Sequence, residues 1–586
     1  MDFLSLRQQG THLIVNVPAG WRVHGVGTNP RDAMVRRLGV TMGGHASGGH
    51  RYAGALAGVL AAGTALGVAE LAAALVRGQA SPVIAVGGVF VDNVPKALKD
   101  FAIRTFGEND KIVLVAGILV TIAILAALVG AVSVTRRIVG VVGVTALGVV
   151  AAAAAVSRPA ASAFDAAPSL IGAAAGLVAL ALLLRTLTPS GPAPRNAQDG
   201  TAEGSVPARP HPGDGGMLPD ALARTDRKGA GFDRRSFLVT SALTAAVAAA
   251  AGGAGRAILA RRFDVSASRN ALTLPKPASP APSLPPTVEV GVPGVTPFTT
   301  ANEDFYRVDT ALLVPQLSTQ DYRLRIHGRV DRELELTFDD LLKRPMIERD
   351  ITISCVSVEV GGKLNGTARW LGVPIKDLLE EAGVRAGANQ VVSRSIDGMS
   401  IGTPTESLLD DRDAMLAIAM NGEPLPPEHG FPVRMVVPGL YGYVSATKWL
   451  TEIELTTFED FDPYWVKRGW DARAPVKTFS RIDTPTVTKP PAAGLVPVAG
   501  IAYAQHRGIS KVEVRVDGGD WQEARLGDEG SIDLWRQWVY DWPAEKGPHR
   551  LEVRATDGPG QVQPEKRVPP FPGGATGWHS VLVTVA

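Results

Sequence analysis

Between residues 53 and 184 the chain carries four stretches nearly free of charge: Ala53 to Val76, Ile112 to Val134, Ile138 to Val156 and Leu170 to Leu184. A helix needs about 20 apolar residues to cross the hydrocarbon of a bilayer, and these runs meet or approach that length. A core helix of a soluble protein shows a polar face at helical spacing, and these show none. Four spanning helices are therefore predicted within residues 51–187. Glycines four residues apart, at Gly54 and Gly58, Gly63 and Gly67, and Gly172 and Gly176, would let helix backbones approach closely. Glu70 is the one charged residue in these runs. It lies near the end of its helix, where an acid reaching the interface is expected ahead of a proton or ion pathway.

Basic residues set the orientation. Arg36, Arg37 and Arg51 precede the first run, Arg136 and Arg137 follow the second, and Arg185 ends the fourth, which puts all of them on the cytoplasmic side. Residues 1–50 are expected as a disordered cytoplasmic segment, and residues 188–236, opening "TPSGPAPRNAQDG", as a disordered cytoplasmic linker. A fifth apolar stretch, 237–260, begins directly after "FDRRS". Its Arg234–Arg235 pair resembles an internal twin-arginine export signal, with an ordinary fifth span as the alternative. Either way the chain is a multi-pass protein of the cell membrane, and everything after about residue 260 lies outside the cytoplasm.

A chain of 586 residues is too long for one core. Its formal charge of +2 makes no electrostatic case for a nucleic-acid partner, and its single cysteine, Cys355, excludes an intrachain disulfide. Residues 261–297 are proline-rich and read as an extended stalk. Residues 298–484 interleave alternating runs with short helix signals, as in a mixed α+β domain. Residues 485–586 carry alternating runs at sandwich spacing, as in an immunoglobulin-like β-sandwich used for binding or dimerisation, with nothing catalytic in view. The fold class is thus multi-domain: a transmembrane helical bundle, an α+β domain and a β-sandwich.

Two stretches carry chemistry. Cys355 ends the strand-like run in "DITISCVSVEVGG", where a lone thiol is ordinarily buried packing. In "MNGEPLPPEHGFPVRMVVPGLYGYVSATKWLTEIEL", His429, Arg434 and Lys448 are separated by glycine and proline turns. Such turns bring backbone close to a bulky ligand while the cations neutralise an anion, a combination suited to a phosphorylated cofactor.

These stretches, with "NEDFYRVDT" upstream and "VRVDGGDWQEARL", "ATDGPGQVQPE" and "GWHSVLVTV" in the tail, resemble the sulfite oxidase family of molybdopterin-dependent oxidoreductases, here of a membrane-anchored bacterial type. The resemblance covers the whole soluble half. It implies one molybdenum with a single pterin, bound through the Cys355 thiolate. It further implies that His429 and Arg434 hold the pterin and its phosphate, with Ser445, Thr447 and Lys448 in the following cofactor loop. Tyr306, Arg307 and Asn302 match the entry segment, and Ser395 a polar contact position. The tail resembles the family's dimerisation domain, which implies a homodimer.

The departures bear on substrate. Animal and plant sulfite oxidases follow the cysteine with Ala-Gly-Asn-Arg-Arg, whereas Cys355 is followed by Val-Ser-Val-Glu-Val. Glu359 would repel a small dianion, so sulfite itself is not the expected substrate. Lys467 and Arg468 in "YWVKRGW" would preserve a cationic, catalytic position near the substrate. The implied reaction is two-electron oxygen-atom transfer on a small molecule, with a separate cytochrome- or quinone-linked redox partner. None of the ten histidines falls inside a spanning run, so no haem is expected there. The bundle reads equally as an anchor, a docking surface or a cofactor-free channel-like unit. Two other classes stand beside this reading: a non-enzymatic surface binding protein with a degenerate molybdopterin fold, and a transporter with an enzymatic appendage.

Overall fold

The computed structural model describes residues 46–95, 98, 101, 105, 106, 110–158, 161–187, 234–262 and 264–586. The expectations for the segment before residue 46 and for the linker over 188–233 lie outside the described residues.

The bundle comprises α1 (Ala46–Val76), α2 (Pro82–Asn93), α3 (Asp110–Ser133), α4 (Arg137–Val156), α5 (Ala167–Leu187) and α6 (Arg234–Arg262). All but α2 are long and apolar enough to cross a membrane. The sequence reading did not anticipate α2, which at 12 residues is too short to span. Ser81 caps it and Pro82 starts it, a pairing that favours helix initiation.

Helix α1 is the hub, packed on α3, α5 and α6. The glycine pairs sit at these crossings. A β-carbon on Gly58 would collide with the Ala126 carbonyl of α3, one on Gly67 with Ala248 of α6, and one on Gly172 with Ala65 of α1.

The two ends of the bundle differ. Ala53, Val134, Leu187 and Phe237 cluster at one end, beside Arg136, Arg137, Arg185, Arg234 and Arg235. At the other end Arg77 pairs with Asp165, Ser81 donates to Glu70, and Arg158 meets Asp92 at 2.5 Å. This second end touches the α+β unit: Lys111 donates to Asp309, and Tyr464 donates to Asp92.

Residues 273–297, within the 261–297 segment expected as a stalk, run along the α+β unit. Ala278 N–H donates to Met346 O at 2.8 Å, Ser279 bridges to Ile347, and Val288 is buried. Proline keeps such a segment extended while its remaining N–H groups find partners.

The α+β unit contains β1 (Arg323–Gly328), β2 (Leu334–Thr337), β3 (Ile347–Ser354), β4 (Asn365–Pro374), β5 (Gln390–Ser395), β6 (Ser400–Pro404), β7 (Met415–Met420), β8 (Glu423–Pro424), β9 (Arg434–Val436) and β10 (Leu450–Thr456). One sheet has the order β2-β1-β10-β5-β6, with β1 and β10 parallel. The other has the order β3-β4-β7-β8, with β9 against β7. Helix Ile375–Ala382 buries Leu378 and Leu379 in the core shared with Leu324, Ile326, Val391 and Ile453.

The tail contains β11 (Phe479–Thr484), β12 (Gly494–Tyr503), β13 (Ile509–Val516), β14 (Gln522–Glu523), β15 (Arg525–Leu526), β16 (Arg536–Ala544), β17 (Gly547–Asp557) and β18 (His579–Val585). They form two four-stranded sheets, β11-β12-β16-β15 and β14-β13-β17-β18, over a core that includes Val498, Val512, Trp538 and Val553. Phe479, Tyr503 and Trp535 also join the α+β unit's core, so the tail and that unit are packed as one body.

Candidate functional site

Cys355 sits just past β3, whose last four residues are all buried. Side chains alternate along a strand, so Ile351 and Ile353 enter one apolar cluster while Thr352 and Ser354 face the tail. Thr352 Oγ1 accepts from Trp535 N–H at 3.0 Å, and Ser354 Oγ lies 2.9 Å from the Tyr503 hydroxyl. Cys355 N–H donates to Leu364 O at 2.9 Å, and Ser357 N–H points at the sulfur at 3.4 Å. Burial pushes the thiol pKa up, and the Ser357 contacts only partly offset this. The hydroxyls of Tyr306, Tyr441 and Tyr503 all lie within electrostatic reach of that sulfur.

The tail fixes the loop after the cysteine. Arg481, its guanidinium almost wholly buried, donates to Gly362 O at 2.6 Å, Asn365 Oδ1 at 3.0 Å, Asp483 at 2.7 Å and Thr296 at 2.7 Å. Neither Tyr503 nor Arg481 was singled out from sequence, since each lies in an ordinary alternating strand. Tyr503, in the tail, and Arg481, on β11, hold the cysteine segment in place.

A second group gathers around Arg434. His429 Nε2 lies 3.0 Å from the carbonyl of Asn302, so Nε2 carries the proton, and the ring packs edge-on to Phe305. Burial, with repulsion from Arg434, pulls its pKa down to about 4, leaving it neutral at pH 7. Arg434, on β9, donates from Nη1 to His429 O at 3.1 Å and stacks 4.9 Å over Trp370. Its Nε is buried and has no hydrogen-bond partner among the described residues. Burial lowers the guanidinium pKa to about 10.

Gly430 lets these residues converge. With φ at 112°, its β-carbon would come within 3.0 Å of Arg434 Cβ and 3.1 Å of Lys448 Cα. Lys448 Nζ meets Asp309 Oδ2 at 2.7 Å, and Arg307 Nε meets the same oxygen at 2.8 Å. Burial alone would raise the Asp309 pKa, but Lys448, Arg307 and Lys111 hold its carboxyl well below the usual range. Burial lowers Lys448 to about 8 against the pull of Asp309, so the ammonium is charged at neutral pH. Asp309 was not among the residues expected. Its signal was weak, an acid two positions after Arg307.

The remaining expected residues divide. Tyr306 stacks on Phe305 and lies beside the turn Gly442–Ser445. The Asn302 side chain is engaged with Met420 O and Asn421, so its carbonyl is the part that reaches the site. Ser445 donates to Leu440 O and Tyr441 O, Thr447 pairs with Ser393 at 2.6 Å, and Ser395 receives Asp397 N–H. These hydroxyls shape the loop. Lys467 lies over the Phe461 ring, while Arg468 stacks on Tyr464 and reaches Asp92 of α2. Arg468 thus sits at the bundle junction with Lys467 one position before it, and among the described residues neither shows a contact with Cys355. Glu359 is exposed. In a separate set of metal-type donors, His327, Glu452 and Glu454, both carboxylates already pair with Arg394.

A buried thiol and an under-bonded guanidinium that both lie within electrostatic reach of Tyr306, with a neutral imidazole beside the guanidinium, suit a bulky, sulfur-bound, anionic cofactor better than a substrate alone. The comparisons with known proteins agree. The family model described as "Oxidoreductase molybdopterin binding domain" matches residues 311–465. The mitochondrial sulfite oxidase of Mus musculus is 30% identical over 326 residues, covering 47% of this chain and 59% of that protein. The sulfite oxidase of Gallus gallus is 30% identical, covering 46% of this chain and 69% of that protein. The uncharacterized oxidoreductase YuiH of Bacillus subtilis (strain 168) is 37% identical over 152 residues, covering 26% of this chain and 73% of that protein. The chain belongs to the sulfite oxidase family of molybdopterin oxidoreductases. It spans about three fifths of the length of the mammalian sulfite oxidases it matches.

Proposed function

We propose that this chain is a membrane-anchored, extracytoplasmic molybdopterin-dependent oxidoreductase that transfers an oxygen atom in a two-electron step on a small substrate other than sulfite. The observation that carries the cofactor reading is the buried Arg434, whose Nε lacks a partner beside the neutral His429. A desolvated charge with unused hydrogen-bonding capacity is costly unless a bound anion completes it, and the phosphate of a pterin cofactor fits that need.

In this reading Cys355 is the metal ligand. Its raised pKa keeps the free thiol protonated, so metal binding and proton loss are coupled at that sulfur. The bound cofactor would supply the two-electron redox chemistry. Arg434, Lys448 and Arg307 would hold its anionic group, and His429 would offer Nδ1 as an acceptor while Asn302 O fixes the ring. Tyr306, Ser395, Ser445 and Thr447 would line the pterin.

The orientation rests on the bundle's basic end lying opposite the end that touches the catalytic unit. Lys467 and Arg468, at that junction, would steer a small anion rather than touch the metal. The Val-Ser-Val-Glu-Val stretch after Cys355 favours a substrate other than sulfite, and a separate cytochrome- or quinone-linked partner would carry the electrons. The tail's two facing sheets support an immunoglobulin-like sandwich that serves a homodimer.

Assays with artificial electron carriers test the reading in both directions, oxidising sulfite-like compounds and reducing S- and N-oxides. Turnover of an oxide that fails in Cys355→Ser is expected. Efficient sulfite oxidation would overturn the substrate part.

A further inference from the structure

The geometry points to Lys111, at the start of membrane helix α3, as a positioning residue of the anion cradle: by balancing the charge of Asp309 it leaves Lys448 and Arg307 with a net positive charge for a phosphate-type anion. The membrane bundle then supplies part of the binding site as well as an anchor. This rests on the anionic-cofactor reading above.

Lys111 Nζ donates to Asp309 Oδ1 at 2.7 Å and to Ala311 O at 2.8 Å. The other oxygen, Oδ2, takes Lys448 Nζ at 2.7 Å and Arg307 Nε at 2.8 Å. Three cations therefore share one carboxylate whose side chain is 5% exposed. A lysine that served only to dock the bundle would be satisfied by an exposed acid at the rim. This one adds positive charge to a buried site that already holds a surplus, beside Arg434, which itself lacks a partner at Nε. Gathering like charges in a desolvated site is unfavourable unless an opposite charge arrives. Without Lys111 the carboxylate would sit between the two remaining cations and compete with any incoming anion.

A second junction holds the geometry. Asp92 of α2 accepts from the Tyr464 hydroxyl, lies 3.5 Å from Arg468 and pairs with Arg158 at 2.5 Å. Lys111 is thus delivered by a bundle fixed at two points on the catalytic unit.

The test uses the full-length chain from a host unable to make the pterin, titrated with inorganic phosphate and followed by calorimetry. Lys111→Ala should weaken phosphate binding about tenfold, the size expected for losing one nearby unit charge, and Lys111→Arg should retain it. In the double variant Lys111→Ala/Asp309→Asn the competing carboxylate is gone, and affinity should return to within about threefold of the original. The double variant still lacks the bridge, so recovery assigns the effect to charge balance rather than docking. Unchanged affinity in Lys111→Ala, a double variant as weak as Lys111→Ala, or no phosphate binding by the original chain would each overturn the inference. Pterin content of the chain from a cofactor-producing host bears on the proposed function alone. Phosphate binding that follows this pattern in a chain that never carries pterin would keep the cradle and remove the cofactor reading.

Discussion

On the cysteine side of the site nearly every polar group is paired within the protein: Ser354 with Tyr503, Asn365 with Tyr503 and Arg481, and Arg481 with four acceptors. On the cation side the pairing stops short. Arg434 spends one nitrogen on a carbonyl and leaves Nε bare, while Lys448, Arg307 and Lys111 share a single carboxylate. The difference separates a scaffold that is complete on folding from a surface completed by a ligand. A buried unmatched charge is a stability cost that a chain carries where function requires it.

The largest effect belongs to the proposed ligand atom. Cys355→Ser should abolish molybdenum retention, read by elemental analysis, while thermal stability stays within a few degrees because a hydroxyl can take the same Ser357 N–H.

Arg434→Met breaks the comparison from the other side. Replacing an under-bonded buried charge with an apolar chain of similar length should raise the melting temperature of the cofactor-free chain and lower its pterin content about tenfold or more. A fall in melting temperature would mean that Arg434 is structurally satisfied after all.

Acid comes next. His429 and His579 are both held near a pKa of about 4 by burial, against an ordinary value of 6.5. Between those values the unfolded chain binds more protons, so their contribution is complete above pH 6.5 and drains away as pH falls toward 4. Denaturant titrations should show a loss on the order of 2 kcal/mol per imidazole at pH 5. A bound anion favours protonated His429 but leaves His579 unaffected, so the cofactor-loaded chain should lose less.

The smallest effect tests the scaffold. Tyr503→Phe removes the hydroxyl shared by Ser354 and Asn365 and should cost about 1 kcal/mol in chemical denaturation, with pterin content nearly unchanged.

What could be read from the sequence follows the same division. The five helices long and apolar enough to cross a membrane were legible because each is a continuous apolar run, and the glycine pairs because close helix crossings need them locally. Helix α2 was not, since a mostly apolar stretch of 12 residues fits a short core helix as well as a loop. Cys355, His429, Arg434 and Lys448 stood out through their motif. Asp309, Lys111, Arg481 and Tyr503 did not, because their importance lies in tertiary neighbours. Lys111 and Asp309 are 198 residues apart, and Tyr503 meets Ser354 across 149. No local pattern records such a pairing. Lys467 and Arg468 show the converse: a motif position identified them, and the added bundle engages Arg468 through Asp92.

The central claim is that the cation side is built for an anionic pterin cofactor with molybdenum on Cys355. Metal and pterin analysis of the full-length chain, purified from a molybdenum-replete, cofactor-producing host, tests it most directly. The account predicts about one molybdenum and one pterin per chain, released together on unfolding. A folded chain free of both would contradict it.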